Sequence, residues 1–208
     1  SSGALVLEGR LDLLYDVPAY RAFQDALFGG GLSYHNYSYP PVTLLYTWLF
    51  ALLPYPAALT VWLAGTGALF ALAARPYLRD AGLPLWAAIL APASLVNLWA
   101  GHYGFLIGAL WLGAWRLLLT RPALAGVLIG LMVVKPHLAV LAPFVLLWRR
   151  EWTAIAAAAA TSLGLVALSA AVFGTELWVT WLTEKAAVQA AMVDDIDAFY
   201  LTMMPTLT

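Results

Sequence analysis

The sequence predicts an all-α fold: a polytopic transmembrane helical bundle with an amphipathic loop segment at its outer face. Of its 208 residues, 63% are hydrophobic and 10% are charged, and the mean hydropathy is +0.84. Soluble domains carry about 25% charged residues. No charged residue lies between Asp25 and Arg75, a gap longer than the roughly 20 residues that cross a bilayer core. The apolar runs are continuous rather than alternating, which favours helices over a barrel.

Three regions follow from the placement of the charges. Residues 1–41 are predicted to form an extracytoplasmic loop with short helices, residues 42–175 the transmembrane bundle, and residues 176–208 an extracytoplasmic amphipathic helix and tail. The first two regions meet at the hexapeptide Tyr37–Val42, the hinge. Its two adjacent prolines prevent a helix from running through it.

About six spans or half-spans are predicted within the bundle. A helix over 42–53 is too short to cross at 1.5 Å per residue and is expected to be interfacial or re-entrant. The spans proper are predicted at 57–74, 83–99, 103–119, 123–134, 137–148 and 152–173. Two of these are short and flank Lys135-Pro136-His137. They are expected to form a hairpin whose tip lies below the membrane surface.

Arginines indicate the orientation of the bundle. Six of them fall on one predicted side, which the positive-inside rule assigns to the cytoplasm: Arg75, Arg79, Arg116, Arg121, Arg149 and Arg150. The remaining polar groups of the bundle, including Lys135, are then expected on the outer side.

Several function classes are excluded or unsupported. The formal charge of −1 and the lack of a basic cluster beyond Arg149-Arg150 argue against nucleic acid as a partner. Without cysteine there are no thiolate metal sites, and no phosphate-loop, zincin, hydrolase-elbow or dinucleotide fingerprint occurs. Asp194, Asp195 and Asp197 are interpreted as a solvated face rather than a cation site. No metal or cofactor is predicted.

Lys135 is the sharpest single candidate for a functional side chain. A lysine between two apolar stretches is costly in a membrane unless it faces a cavity or a partner. It could bind a phosphate, or it could extend its ammonium to the outer interface from a helix end. Pro136 and His137 favour the functional interpretation, because a kinked helix end exposes backbone N–H groups beside a cation and an imidazole.

Asn97 and His102 flank a tight turn, Gly101–Gly104, between two predicted spans. A single loop histidine is more often solvated than catalytic, and glycines in a short turn need only conformational freedom to explain them. This turn is therefore a weak signal when taken alone.

Asp12 and Asp16 are the candidate carboxylates of the outer loop. Either could accept a proton from an attacking hydroxyl within hydrogen-bond reach. The alternative for Asp16 is structural, because Asp16-Val17-Pro18 is typical of a helix N-cap and first turn. The helix is then predicted over 19–28, with Gly29–Gly31 ending it.

The order of short motifs resembles glycosyltransferase family 87. The motifs, which cover nearly the whole chain, are Tyr15-Asp16 with Gln24, Tyr37-Ser38-Tyr39-Pro40-Pro41, Leu52-Leu53-Pro54-Tyr55, Asn97 with Gly101-His102-Tyr103-Gly104, Ala125-Gly126 with Lys135-Pro136-His137, and Phe173-Gly174. Each is only moderately specific, but their order and spacing together are hard to obtain by chance. The family consists of polytopic type C glycosyltransferases, which take a sugar from a polyprenyl phosphate at the outer face of the cytoplasmic membrane.

The resemblance implies a reaction and roles for individual residues. An acceptor hydroxyl attacks the anomeric carbon, an outer-loop aspartate acts as base, and the polyprenyl phosphate leaves. Lys135 is expected at the phosphate, with His137 and His102 hydrogen-bonding phosphate or sugar. The expected partners are membrane lipid, a polyprenyl-phosphate sugar donor carrying a hexose such as mannose, and a lipid or glycan acceptor. The expected location is the bacterial cytoplasmic membrane, with a periplasmic or extracellular active face.

The resemblance also implies a pocket. Tyr39, Pro40 and Pro41 are expected to shape its floor, Trp48 to stack on sugar or lipid, and Asn97 to belong to its wall. The chain departs from the family in the turn, where Gly101-His102 stands in place of the common Gly-Gln.

Two registers of the resemblance place the base differently. In one, Asp16 begins the family's aspartate motif. In the other, which we favour, residues 1–9 form the small-residue helix that follows it, and Tyr15-Asp16 is a later landmark. The base and a first span would then precede Ser1, so a partial chain is expected.

Two other functions compete with the enzyme. A non-catalytic membrane subunit would pack against partners in a larger complex through its Ala-rich and Trp-rich helices. A transporter would line its path with broken helices and a buried lysine. The absence of an inverted repeat and the collection of polar groups on one face argue against the transporter.

Overall fold

The computed structural model describes residues 1–30 and 36–194, with side chains up to Glu184. The α-helices within these residues are α1 (Ser2–Glu8), α2 (Val17–Phe28), α3 (Leu44–Ala51), α4 (Tyr55–Asp80), α5 (Trp86–Leu90), α6 (Pro92–Ala100), α7 (Gly104–Leu117), α8 (Pro122–Gly130), α9 (Ala142–Trp148), α10 (Trp152–Phe173) and α11 (Thr175–Asp194). Short 3-10 turns cover Leu11–Leu13, Pro41–Thr43, Leu131–Val134 and Pro136–Leu138. No strand occurs in the described ranges, and the predicted all-α class is confirmed.

The helix predicted after Asp16 forms as its sequence signals indicate. The Asp16 side chain accepts a hydrogen bond from the backbone N–H of Ala19, at 3.0 Å, and thereby caps α2. At the other end Gly29 adopts a left-handed conformation with φ of 82°, which only glycine adopts at no steric cost. The predicted structural role of Asp16 is therefore present.

Within the part of the chain that the structure describes, two helices are long and apolar enough to cross a membrane. α4 has 26 residues and α10 has 22, with mean hydropathies of 1.8 and 2.0 over their most apolar stretches. Only 17% and 6% of those stretches are buried inside the protein. A core helix of a soluble protein would be mostly covered, so these exposed apolar faces fit a lipid environment. The span predicted at 152–173 coincides with α10, and the one at 57–74 lies inside α4.

The other predicted spans are shorter or broken. The apolar segment predicted at 83–99 divides into α5 and α6 at Ala91, which is extended (φ −58°, ψ 141°) because Pro92 follows it. The segment 123–134 ends its α-helix at Gly130 and continues as a 3-10 turn. In 137–148 the α-helix starts only at Ala142. Backbone hydrogen bonding changes around Lys135 on both sides.

α4 and α7 pack side by side and run in the same direction. Gly67, in the middle of α4, faces the ring of Phe105 near the start of α7, with an added Cβ at 3.7 Å from it. At their ends Arg116 lies 4.0 Å from Asp80. The intervening α5 and α6 must therefore return the chain to the end where α4 began.

α8 and α10 also run parallel. A Cβ added to Gly126 would collide with the Ala154 carbonyl, and one added to Gly130 would lie 2.6 Å from Thr161 Cβ. The absence of side chains at these two glycines lets the helices approach closely. α9 therefore returns the chain between them.

These pairings place the six arginines named above at one end of the bundle, the arginine end. They lie in or shortly before the turns at 81–85, 118–121 and 149–151, which the parallel pairs bring to the same level. The hinge, the Gly101–Gly104 turn and Lys135 belong to the opposite end. Asp194 ends α11, while Asp195 and Asp197 lie outside the described residues.

We expect Gly130→Ala to destabilise the bundle and Gly164→Ala, the same change in α10, not to. The new Cβ at 130 would lie 2.6 Å from Thr161 Cβ and 2.7 Å from the Ala158 carbonyl oxygen, whereas the one at 164 has no neighbour within 4 Å. Overpacking of this kind costs about 1–3 kcal/mol. Thermal unfolding of the purified protein in detergent should show a lower midpoint for the first variant only. Equal midpoints would contradict the close α8–α10 contact.

Candidate functional site

The hinge is held in place by hydrogen bonds from three parts of the chain. Thr43 Oγ1 donates to the Pro40 carbonyl at 2.8 Å and also shares a hydrogen bond with the Tyr37 hydroxyl. The Tyr15 hydroxyl donates to the Tyr39 carbonyl at 2.8 Å. From α11, Trp181 Nε1 donates to the Ser38 carbonyl at 3.3 Å. The start of α3, the segment before α2 and α11 therefore fix the hinge backbone together.

A line of aromatic rings runs from this hinge into the bundle. Successive centroids lie 5.9 Å apart for Tyr15 and Tyr37, 5.7 Å for Tyr37 and Tyr39, 4.6 Å for Tyr39 and Tyr103, and 5.0 Å for Tyr103 and Trp62. All four separations lie within the range of favourable aromatic pairs. These five rings, the aromatic row, connect the outer segment, the hinge, the α6–α7 turn and α4.

Lys135 stands over the middle of the aromatic row. Its Nζ lies 5.9 Å from the centroid of the Tyr39 ring, within cation–π range, and the residue is half-buried. Its backbone (φ −147°, ψ 68°) is extended between two 3-10 turns. The helix break thus directs a cation at the hinge, and the two motifs that the sequence singled out meet here.

The other predicted pocket residues differ in exposure. Pro40 and Pro41 are fully buried, so their side chains pack inside the protein beneath the hinge backbone and do not line a surface. Trp48 is half-buried in α3, and its indole N–H donates to the Leu45 carbonyl of the same helix at 3.1 Å. Tyr39, half-buried, is the hinge residue whose ring faces Lys135.

Asn97 shapes the α6–α7 turn from inside. It is 8% exposed, and its Oδ1 accepts a hydrogen bond from the Gly104 backbone N–H at 2.8 Å. A Cβ at position 104 would collide with that oxygen, and Gly101 has a left-handed φ of 66°. The amide therefore holds the turn that positions Tyr103 against Tyr39.

The two candidate histidines and the two candidate carboxylates of the outer loop are exposed. His102 lies in the α6–α7 turn and His137 in the 3-10 turn after Lys135. Asp12 lies in the 3-10 turn before α2, and Asp16 caps that helix, one residue after the Tyr15 that bonds the hinge. Within residues 1–30 and 36–184 no three His, Asp or Glu side chains are grouped so that they could hold a metal ion.

Burial disfavours ionisation of the hinge tyrosines, which are neutral at physiological pH even at their ordinary pKa. It raises the pKa of the Tyr37 phenol well above the usual value, and it raises the pKa of the Tyr39 phenol as well. These hydroxyls are therefore hydrogen-bonding groups rather than proton acceptors at physiological pH, and they add no negative charge beside Lys135.

An aromatic cavity of about 480 Å³ lies behind the aromatic row, between α1, α3, α4 and the α6–α7 turn. Tyr46, Thr47, Trp62 and Tyr103 line it among others, and the Tyr46 hydroxyl donates to the Tyr103 hydroxyl at 2.9 Å. Its size is typical of small-molecule sites. Sequence reasoning missed Tyr46 and Trp62, because an aromatic residue in an apolar span has no local mark that separates a cavity wall from a lipid-facing position.

Comparison with known proteins identifies a family. The model of glycosyltransferase family 87 matches residues 37–207, from the first residue of the hinge through α11 and beyond. No curated protein and no solved structure matches significantly.

We expect Asp16→Ala to weaken α2 and Asp16→Ser to preserve it. Serine can still accept the hydrogen bond from the Ala19 N–H, whereas loss of a cap costs about 1 kcal/mol, roughly a fivefold change in local opening. Hydrogen exchange of the α2 amides should be about fivefold faster in the alanine variant only. If the two variants exchange alike, the capping role of Asp16 is wrong.

Proposed function

The chain belongs to glycosyltransferase family 87, a family of membrane glycosyltransferases, and from this membership we propose the reaction that it performs. It transfers a hexose such as mannose from a polyprenyl phosphate to a lipid or glycan acceptor at the outer face of the bacterial cytoplasmic membrane. The all-α fold with two long, largely exposed apolar helices supports a membrane setting.

The position of Lys135 over Tyr39 is the observation that carries this proposal. In the transfer, the acceptor oxygen forms a bond to the anomeric carbon while the bond from that carbon to the phosphate oxygen breaks. The acceptor proton passes to a base, and the polyprenyl phosphate leaves with one more negative charge. An ammonium fixed beside the departing oxygen stabilises that charge as it develops.

The break in the helix favours phosphate binding by Lys135 over the alternative that its side chain only extends to the membrane surface. A surface-seeking side chain needs no interruption of its helix, whereas here α8 gives way to 3-10 turns on both sides of the residue. Broken helices at membrane depth occur where the backbone is shielded by protein or lines a cavity. Lys135 as the phosphate ligand accounts for both the charge and the break.

Two histidines supplement this cation in our proposal. His137 lies in the 3-10 turn that follows Lys135, and His102 in the turn that positions Tyr103. Their imidazoles donate hydrogen bonds to phosphate or sugar oxygens. Asn97 acts through the turn that it holds, and Trp48 offers an aromatic face for the sugar or the lipid.

The base is proposed to be a carboxylate of the outer loop. Asp12 and Asp16 are the candidates. Both are close in the chain to Tyr15, whose hydroxyl donates to the Tyr39 carbonyl of the hinge. Asp16 already accepts the hydrogen bond that caps α2, and we expect this, rather than proton transfer, to be its main role.

Sidedness follows from the distribution of arginines. The arginine end is proposed to be cytoplasmic by the positive-inside rule, which puts Lys135 and the hinge toward the outer face. Cysteine substitution and labelling with a membrane-impermeant maleimide on intact cells would test this: Ser38→Cys should be labelled and Arg150→Cys should not. Labelling of position 150 alone would reverse the orientation.

Lys135→Met should lower transfer about 100-fold or more, because it removes the charge that stabilises the leaving phosphate while keeping a long side chain. Lys135→Arg keeps the charge and should retain a measurable part of the activity, although its planar guanidinium fits differently. The measurement is transfer of labelled hexose from a polyprenyl-phosphate donor in membranes, with size-exclusion elution as the control for folding. Full activity of the methionine variant would remove the phosphate role from Lys135.

Asp16→Ser separates a cap from a base. Serine preserves the α2 cap but cannot accept the acceptor's proton as a carboxylate does, so we expect transfer to be retained within a few-fold. Asp12→Asn should be compared in the same assay. A loss of about 100-fold in the serine variant with α2 intact would instead identify Asp16 as the base.

A further inference from the structure

A second cavity begins directly at the helix break. It has a volume of about 410 Å³ and lies between the 3-10 turns, α9 and α10. We call it the tail groove; its lining includes Val133, Pro136, Ala139, Val140 and Ala159. Pro136 directly follows Lys135 in the chain, so the groove begins next to the backbone of the residue whose ammonium is proposed to bind phosphate.

The tail groove offers almost only hydrocarbon to a ligand. Among its lining side chains Ser162 alone is polar, and its hydroxyl donates to the Gly130 carbonyl at 3.1 Å. A ligand there would find no side-chain donor to satisfy a polar group, and burying such a group unpaired is costly. The chemistry of the walls therefore selects an apolar chain.

Small side chains and the helix break together create this space. Ala139, Ala158 and Ala159 leave the volume that larger residues would fill, and α9 does not begin until Ala142. The close approach of α8 to α10 at Gly130 forms the adjoining wall. An unbroken helix through 131–141 would continue the direction of α8 and leave α9 no route back.

We propose that the tail groove binds the first isoprene units of the donor's polyprenyl chain while its phosphate lies at Lys135. This inference rests on the proposed function and assigns the donor lipid to the tail groove rather than to the aromatic cavity. A polyprenyl chain bonded to a phosphate at Lys135 would reach Pro136 first. A lipid phosphate has a charged group joined to an apolar chain, and here a residue with a charged side chain is likewise followed by an apolar groove. The volume is that of a small-molecule site, so the distal units of a long chain extend into the bilayer.

The aromatic cavity fits such a chain less well. The rings of Tyr39 and Tyr103, 4.6 Å apart, lie between Lys135 and that cavity. Its walls also carry the hydroxyls of Tyr46, Thr47 and Tyr103; Tyr46 and Tyr103 bond each other, but Thr47 Oγ1 has no hydrogen-bond partner among the described residues, and a hydrocarbon could not provide one. These groups are better matched to a hydroxylated ligand.

Filling the tail groove should reduce the preference for long-chain donors. Ala159→Trp places an indole in the groove, and Ala160→Trp is the matched control, because residue 160 is equally exposed on α10 and does not line the groove. With donors that carry one sugar on either a long polyprenyl chain or a single isoprene unit, Ala159→Trp should raise KM for the long-chain donor about tenfold relative to the short one. Ala160→Trp should keep the wild-type ratio. An unchanged KM ratio in Ala159→Trp would overturn the assignment. A rise of the KM ratio in Ala58→Trp, which fills the aromatic cavity, but not in Ala159→Trp would also overturn it.

Photolabelling gives a readout that does not need transfer. A polyprenyl phosphate bearing a diazirine on its first isoprene units should label peptides from 133–146 and 155–162, and excess polyprenyl phosphate should compete while phosphatidylglycerol should not. Equal competition by phosphatidylglycerol would make the groove an ordinary lipid contact and overturn the proposal. If the wild type transfers no sugar but the specific labelling persists, the proposed function fails while the tail groove stands.

Discussion

The structure has to accommodate the positive charge of Lys135 far from the other charged side chains of the bundle. Between residues 42 and 175 every other charged side chain lies at the arginine end, where Asp80 pairs with Arg116 and Glu151 with Arg149. Lys135 lies toward the opposite end among apolar helices, where a positive charge is costly to place. The ring of Tyr39 offers it a cation–π contact, which contributes about 1–2 kcal/mol in a partly desolvated position. The position of the hinge therefore matters for the stability of this charge as well as for binding.

The fixed hinge explains why so many hydrogen bonds converge on a short loop. Tyr15, Thr43 and Trp181 each bond a carbonyl of residues 38–40, from three separate parts of the chain. A loop held in this way loses little further entropy when a substrate binds, so more of the interaction energy remains for the transition state. The aromatic row extends the same rigidity to the α6–α7 turn, which Asn97 and Gly104 set by a direct contact.

Local signals made part of this structure predictable from sequence. The bounds of α10 follow from Glu151 before it and Gly174 after it, and the cap of α2 follows from Asp16. The break at Ala91 was missed because the long apolar run outweighed the signal of Pro92. The aromatic row and both cavities depend on contacts between residues far apart in the chain, which no local pattern encodes. The meeting of the hinge with Lys135 was expected only through the family resemblance.

The two cavities and the cation also constrain one another. The rings of Tyr39 and Tyr103 form a partition, with Lys135 on one side and the hydroxyl-lined aromatic cavity on the other. An apolar chain and a sugar have opposite requirements, since one needs walls without unpaired polar groups and the other needs hydrogen-bonding partners. A single pocket would have to compromise between them. In the proposed arrangement the apolar chain and the phosphate both lie on the Lys135 side of this rigid aromatic partition, and the cavity that carries hydroxyl groups lies on its other side.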